Sequence, residues 1–263
     1  MKKLLTSIIV SAALIGSGAY AELKKIKLGV SPGPHQDMAL SVQKLAKDKN
    51  LLDIEVVVFN DYVTPNAALN SGDIDANSFQ HKPYLDNEIE NNGYKLTPVA
   101  DNLLFPMSLY SKKIKSKDEL KDGDTVVIQN DPTNGGRALL LLESEGVIEV
   151  ADEAGLTPTI ADITSNPKNL KFVAVSAQQT LNYLQDVALV SINTDYITID
   201  SNVSKDDAVI SESANSPYMN IVVVRTEDKD ADWVKELVKL YHSDEVKAMI
   251  QKAEYANDVV IGW

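Results

Sequence analysis

Apolar and polar residues alternate over positions 25–30, where Ile26, Leu28 and Val30 fall on one face of an extended chain. That period of two predicts a strand with one face buried. Over 35–49 the period changes, and Met38, Val42, Leu45 and Ala46 recur at the spacing of one helix face. Residues 54–59 are a β-branched run that predicts a second, buried strand. A strand–helix–strand opening implies two parallel strands joined by a helical crossover.

The alternation continues along the chain. Helices are expected at 65–69, closed by Gly72, and at 82–91, stopped near Gly93, with a strand at 75–79 between them. Further strands are expected at 125–128, 170–175, 187–192 and 221–225. Further helices are expected at 137–145 (ended by Gly146), 178–184, 232–241 and 244–252. An α/β fold with parallel-rich sheets follows from this order. Two places interrupt it. Residues 103–110 are apolar with Pro106 inside and lead into a basic patch at 112–117, and residues 213–219 are polar with Pro217 and lead into a fresh strand. Two such crossings suit a second domain inserted into the first, with 22–107 plus 218–263 as one lobe, 108–217 as the other and a ligand cleft between them.

The first 21 residues stand apart. Lys2 and Lys3, an apolar stretch to Ile15, and small residues at Ala19 and Ala21 make a secretory signal, with cleavage expected between Ala21 and Glu22. Its apolar core is short for a membrane span. The chain has no cysteine, so disulfides, thiolate metal sites and a cysteine nucleophile are absent. The same count predicts a mature protein without a lipid-modified cysteine, free in the periplasm. Acidic residues number 38 against 25 basic ones, a formal net charge of −13, and the leader removes two lysines and no acid. Nucleic acid and anionic lipid surfaces are therefore poor partners.

Enzyme templates are missing. No G-x-S-x-G, G-x-x-x-x-G-K-[ST], G-x-G-x-x-G or H-E-x-x-H occurs, and nothing spaces His35, His81 and His242 for a metal. The expectation is a binding protein rather than an enzyme, with no cofactor and no metal. Two stretches could bind. The segment 130–137, Asn-Asp-Pro-Thr-Asn-Gly-Gly-Arg, leaves a strand and enters an apolar helix. Free N–H groups at a helix start favour an anion, and Arg137 offers a planar fork for a carboxylate. A capped helix with its arginine in water is the alternative. In Phe79-Gln80-His81-Lys82-Pro83-Tyr84 a strand ends and a helix begins, where α/β proteins hold ligands. Asp61-Tyr62 follows another strand in the same way. Three aromatics with an imidazole suit an aliphatic or thioether side chain, although core packing would use the same residues.

The chain resembles the methionine-binding substrate proteins of ABC importers, the MetQ or NlpA-type lipoproteins. The resemblance runs from about Lys25 to Trp263 and is carried by 59–63 (Phe-Asn-Asp-Tyr-Val), 72–77, 79–85, 110–113, 130–142, 166–170 and 216–218 (Ser-Pro-Tyr). It implies a two-lobed, type II periplasmic-binding-protein fold that closes on methionine, chiefly the L-enantiomer, and delivers it to an ABC permease in the inner membrane. D-methionine, a methionine dipeptide or another small solute are alternatives, and an enzyme or surface interaction protein is a remote one. A monomer is expected. The resemblance also implies site residues: Tyr62, Phe79 and Tyr84 around the side chain with His81 beside them, Arg137 at the carboxylate, and Asn193 and Asn220 at the polar end. Members of this family usually carry a cysteine just after the signal, and this chain does not.

Overall fold

The computed structural model describes residues 22–197, 201–253, 255 and 259–263. The expected leader, residues 1–21, lies outside them. In chain order the elements are β1 (Lys25–Val30), α1 (Pro34–Asp48), β2 (Asp53–Val58), α2 (Thr64–Ser71), β3 (Ala76–His81), α3 (Lys82–Asn92), β4 (Leu96–Asp101), β5 (Leu103–Leu104) and β6 (Ser108–Tyr110). Then come β7 (Thr125–Gln129), α4 (Pro132–Ser144), β8 (Glu149–Val150), β9 (Ile163–Ser165), β10 (Lys171–Val175), β11 (Leu189–Ile192) and β12 (Ala208–Ser211). β13 (Asn220–Arg225), α5 (Asp232–Tyr241), α6 (Asp244–Ile250) and β14 (Val260–Ile261) complete the order, and short 3-10 turns fill several connections.

Two five-stranded sheets organise the chain. The first runs β2-β1-β3-β13-β4, and the second runs β10-β7-β11-β6-β12. β1 pairs in parallel with both β2 and β3, as the β-α-β opening predicts, while β13 lies antiparallel between β3 and β4. In the second sheet β7 is parallel to β10 and β11, and β6 is antiparallel to β11 and β12. The chain leaves the first sheet after Asp101, builds the second, and returns at Asn220.

Each sheet has its own apolar core. Around the first, Ile26, Leu28 and Val30 of β1 meet Met38 and Val42 of α1 and Leu237 and Leu240 of α5. Around the second, Val126 and Ile128 of β7 meet Leu139 and Leu142 of α4 and Leu189 of β11. In α5, Val234, Leu237, Leu240 and Tyr241 are buried at the three-and-four spacing that turns one face inward. Truncating a fully buried leucine such as Leu237 to alanine costs about 2–5 kcal/mol, so α5 is held by packing more than by helix propensity.

One helix start differs from expectation. The glycines placed the expected start at Arg137, but α4 begins at Pro132, which suits a first helical position, with Asp131 as its N-cap. The Asp131 carboxylate accepts from the Asn134 backbone N–H at 2.8 Å. The helix start is thus occupied by the chain's own acid and is no seat for a ligand anion. The glycines inside it serve packing: a Cβ on Gly135 would lie 2.6 Å from the Gln129 carbonyl, and one on Gly136 2.9 Å from that of Leu156.

Candidate functional site

Between the two sheets lies a cavity, the kind of place in which small-ligand sites occur. Its walls come from strand ends and the segments that follow them. On the first-sheet side β3, buried at all six positions, brings in Phe79, Gln80 and His81, and the first turn of α3 adds Tyr84. Tyr62 comes from the turn between β2 and α2, His35 from the start of α1, and Asn220 from the start of β13. On the second-sheet side Asn134 and Arg137 project from α4, and Asn193, Thr194 and Asp195 follow β11. Phe105 and Met107 line the cavity from the crossing segment. Tyr62, Phe79, His81, Tyr84, Arg137, Asn193 and Asn220 thus all line one cavity.

The aromatic wall is built from tilted and edge-on pairs. Tyr62 and Phe79 have ring centroids 5.9 Å apart, and Phe79 and Tyr84 are 6.1 Å apart at 75°. The Tyr84 hydroxyl donates to the Tyr62 carbonyl at 2.9 Å, so its polar end is satisfied inside the wall. What faces the cavity is ring surface, suited to an apolar side chain.

His81 caps α3. Its Nδ1 accepts from the Tyr84 N–H at 3.1 Å, which leaves the ring proton on Nε2, 3.2 Å from the Asn134 side-chain oxygen. Burial, and then the charge of Arg137, push its pKa down to about 3, so the imidazole is neutral. That bond joins the two halves directly. So does the Tyr62 hydroxyl, which donates to Asp195 at 2.8 Å.

The polar side is a connected network. Asn193 accepts from Gln129 at 2.8 Å and donates to the Asn134 oxygen at 3.1 Å, and the Asn134 amide nitrogen is held by Asp131. Arg137 is buried and lies over the Tyr218 ring at 4.3 Å. Its Nε and Nη2 donate to the two oxygens of Glu212 at 2.7 and 2.6 Å, and Nη2 also donates to the Phe105 carbonyl at 2.9 Å. The side-on fork expected for a ligand is therefore filled by Glu212. Nη1 has no hydrogen-bond partner among the described residues and keeps its two N–H donors.

Sequence reasoning missed Glu212, Asn134, His35, Asp195, Phe105 and Met107. Asn134 sits inside the 130–137 stretch, and Phe105 and Met107 flank the Pro106 that marked a domain crossing. Asp195 stands two residues beyond Asn193. Glu212 carried no signal, because its partner is 75 positions away.

Residues 26–263 match the family described as NlpA lipoprotein. The chain belongs to this family. It is 48% identical to the D-methionine-binding lipoprotein MetQ of Escherichia coli K12, over 98% of this chain and 96% of the relative. Among solved structures it is similar to a nutrient-binding protein from Burkholderia cenocepacia bound to methionine, with a TM-score of 0.87 and 45% identity, covering 90% of this chain and all of that one. It is also similar to the methionine-binding protein MetQ, at a TM-score of 0.85 and 49% identity, covering 91% and 98%. These likenesses make the fold the two-lobed α/β fold of periplasmic binding proteins, as the resemblance implied.

They also correct one expectation. The cysteine count had the mature protein free in the periplasm and without lipid, whereas the family and its Escherichia coli member are lipoproteins by name, which points to a lipidated, membrane-anchored protein. A count of thiols tests one chemistry of attachment. It was too narrow a basis for placing the protein in solution.

Proposed function

We propose that this chain is the methionine receptor of an ABC importer, made of lobes 22–107 plus 218–263 and 108–217 that close on the amino acid, and that it is not an enzyme. The observation that carries the reading is one cavity between two sheets with rings on one side and an arginine nitrogen on the other. The thioether chain lies against Tyr62, Phe79 and Tyr84, with His81 as a neutral edge. The carboxylate meets Arg137 Nη1, and Asn193 and Asn220 fix the polar end. A ligand that touches both lobes favours the closed arrangement by its differential affinity for it. The permease then receives the closed form.

Both enantiomers belong in the test, because the Escherichia coli relative is named for D-methionine. The experiment is denaturing mass spectrometry of what copurifies with the native protein. Calorimetry of the stripped protein with L-methionine, D-methionine and glycyl-methionine follows. Methionine as the bound compound and the tighter ligand is the expected result. A protein that takes up none of the three overturns the reading, and preference for glycyl-methionine moves it to a dipeptide receptor.

A further inference from the structure

Two stretches of chain join the sheets, and each is tied down at both ends. Toward the second sheet, Met107 and Glu212 hold one another. The Glu212 N–H donates to the Met107 carbonyl at 2.9 Å, and the Met107 N–H donates to the Glu212 carboxylate at 3.0 Å. Toward the first sheet, β4 and β13 pair as far as Asp101 and Ile221, and the Asn102 N–H donates to the Asn220 carbonyl at 2.8 Å. Beyond Asn102 the partner changes. Leu103 and Leu104 pair with β14, Ile261 opposite Leu103 and Val260 opposite Leu104. The Gly262 N–H donates to the Asn102 carbonyl at 2.8 Å, so this pairing reaches back to the sheet itself.

Segment 259–263 is itself held on several sides. Val259, Ile261 and Trp263, alternate positions of an extended chain, pack against the first core. Trp263 stacks on the His242 ring with 4.9 Å between centroids at 9°, and His242 Nε2 donates to the Asp101 carbonyl at 2.7 Å. A Cβ on Gly262 would lie 2.9 Å from the Asn102 carbonyl oxygen and 2.9 Å from the Met219 sulfur. Glycine there lets one backbone lie against both connecting stretches at once. Asn220, a cavity residue, follows Met219 directly. What stays outside any strand is Phe105–Met107 in one stretch and 212–219 in the other. Hinge motion is absorbed by a few such residues.

We propose that segment 259–263 with His242 is a clasp on the hinge: it fixes Asp101–Leu104 and Met219–Asn220 to the first lobe and confines bending to the residues around Pro106 and 213–218. Its residues do not line the cavity. They are positioning residues that act through Asn220, which the clasp keeps in place as the lobes move. The inference rests on the proposed closure of two lobes on methionine.

Hydrogen exchange read by mass spectrometry, with and without L-methionine, tests the clasp in wild type. Residues 102–104 and 260–262 should exchange slowly and equally in both states, while 213–218 should slow when methionine is added. Trp263→Ala removes the stack, and Gly262→Ala pushes the segment off the Asn102 carbonyl. Each should speed exchange at 102–104 by about tenfold or more. Each should also weaken methionine binding by about three- to tenfold in calorimetry, as the fraction of molecules with Asn220 in place falls. Trp263→Phe keeps a flat ring over His242 and should recover most of both losses. A segment that only adds stability would lower the melting temperature of the alanine variants and leave their affinity within about twofold. That result overturns the inference, as does exchange at 102–104 that responds to methionine in wild type or is unchanged in both alanine variants. Wild type that exchanges slowly at 102–104 but takes up no methionine would instead overturn the receptor reading.

Discussion

Arg137 and Arg225 are the chain's two arginines, one beside each sheet, and both lie against carboxylates. Their hydrogen bonds differ. Arg225, at the end of β13, donates Nη1 to the Leu69 and Ile74 carbonyls and Nη2 to Asp75, and its Nε lies in an ion pair with Asp228 at 2.8 Å. All three nitrogens are taken by protein, and the side chain ties the turn after α2 to the first sheet. Arg137 gives only Nε and Nη2 to protein and keeps Nη1 beside the cavity. A saturated guanidinium is a staple. One with a nitrogen left over, in a wall of rings and amides, is a staple that can also bind. Arginine content in the sequence does not separate the two uses; the hydrogen-bond count of each nitrogen does.

The contrast is broken most directly by truncation. Arg137→Ala should weaken methionine binding by about 30-fold to several thousand-fold, the ~2–5 kcal/mol cost of losing a buried charged contact. It should also lower the melting temperature, because Glu212 is left buried without its cation. Arg225→Ala should lower the melting temperature and leave the dissociation constant within about threefold, since none of its contacts lines the cavity. Calorimetry and thermal melts on both variants decide it. Equal losses of affinity would erase the distinction.

The partners sharpen it. Glu212 side-chain exposure is 10% and that of Asp75 is 28%. Glu212→Gln should therefore destabilise by about 1–3 kcal/mol, measured by urea melts, as a buried arginine loses its counter-ion. Asp75→Asn should cost under about 1 kcal/mol, because water reaches and screens this pair more than the Arg137–Glu212 pair. A larger loss at Asp75 would mean that burial does not rank these pairs.

Arg137 also acts on His81, which Arg225 cannot. With its pKa near 3, the His81 ring should stay neutral from pH 8 down to about pH 4.5 in a heteronuclear NMR titration. The unfolded chain takes up this proton near the ordinary value of about 6.5. The contribution is therefore intact above that pH and is lost, by up to about 1.4 kcal/mol per unit, as pH falls toward 3. Asp131 and Asp195, whose pKa values burial raises, oppose this trend above 3.8, where the folded chain takes up their protons before the unfolded chain does. Titration of the His81 ring near 6.5 would mean that its bond to Asn134 does not hold the lobes together.

Much of the first sheet was legible because its signals are local. Alternation over 25–30 gives β1 to the residue, and the three-and-four spacing over 232–241 gives α5 to the residue. Phe79, His81 and Tyr84 could be found because a strand end and a helix start are written in six adjacent residues. What was not legible depends on distant pairing. β4 and β12 are edge strands whose burial is mixed, so no clean period marks them. The start of α4 was misplaced because its glycines read as a turn, while the contacts that require them come from Gln129 and Leu156. Glu212 and Asp195 matter through partners 75 and 133 positions away, which no spacing rule reaches.

The smallest expected effect tests the apolar wall opposite Arg137. Norleucine keeps the length of methionine and replaces sulfur with CH₂, so both ammonium and carboxylate contacts are unchanged. Any difference then belongs to the rings. Tyr62, Phe79 and Tyr84 stand at tilted and edge-on angles, with the Tyr62 and Tyr84 centroids 6.3 Å apart at 69°. A thioether sulfur gains about 0.3–1.5 kcal/mol against ring edges. Norleucine should accordingly bind about 2- to 13-fold more weakly than methionine by calorimetry. Tyr84→Leu keeps an apolar wall without a ring and should bring the two ligands closer together. Equal affinities for methionine and norleucine in wild type would mean that the wall selects by shape and hydrophobicity alone. The polar network around Arg137 would then carry all of the chemical discrimination.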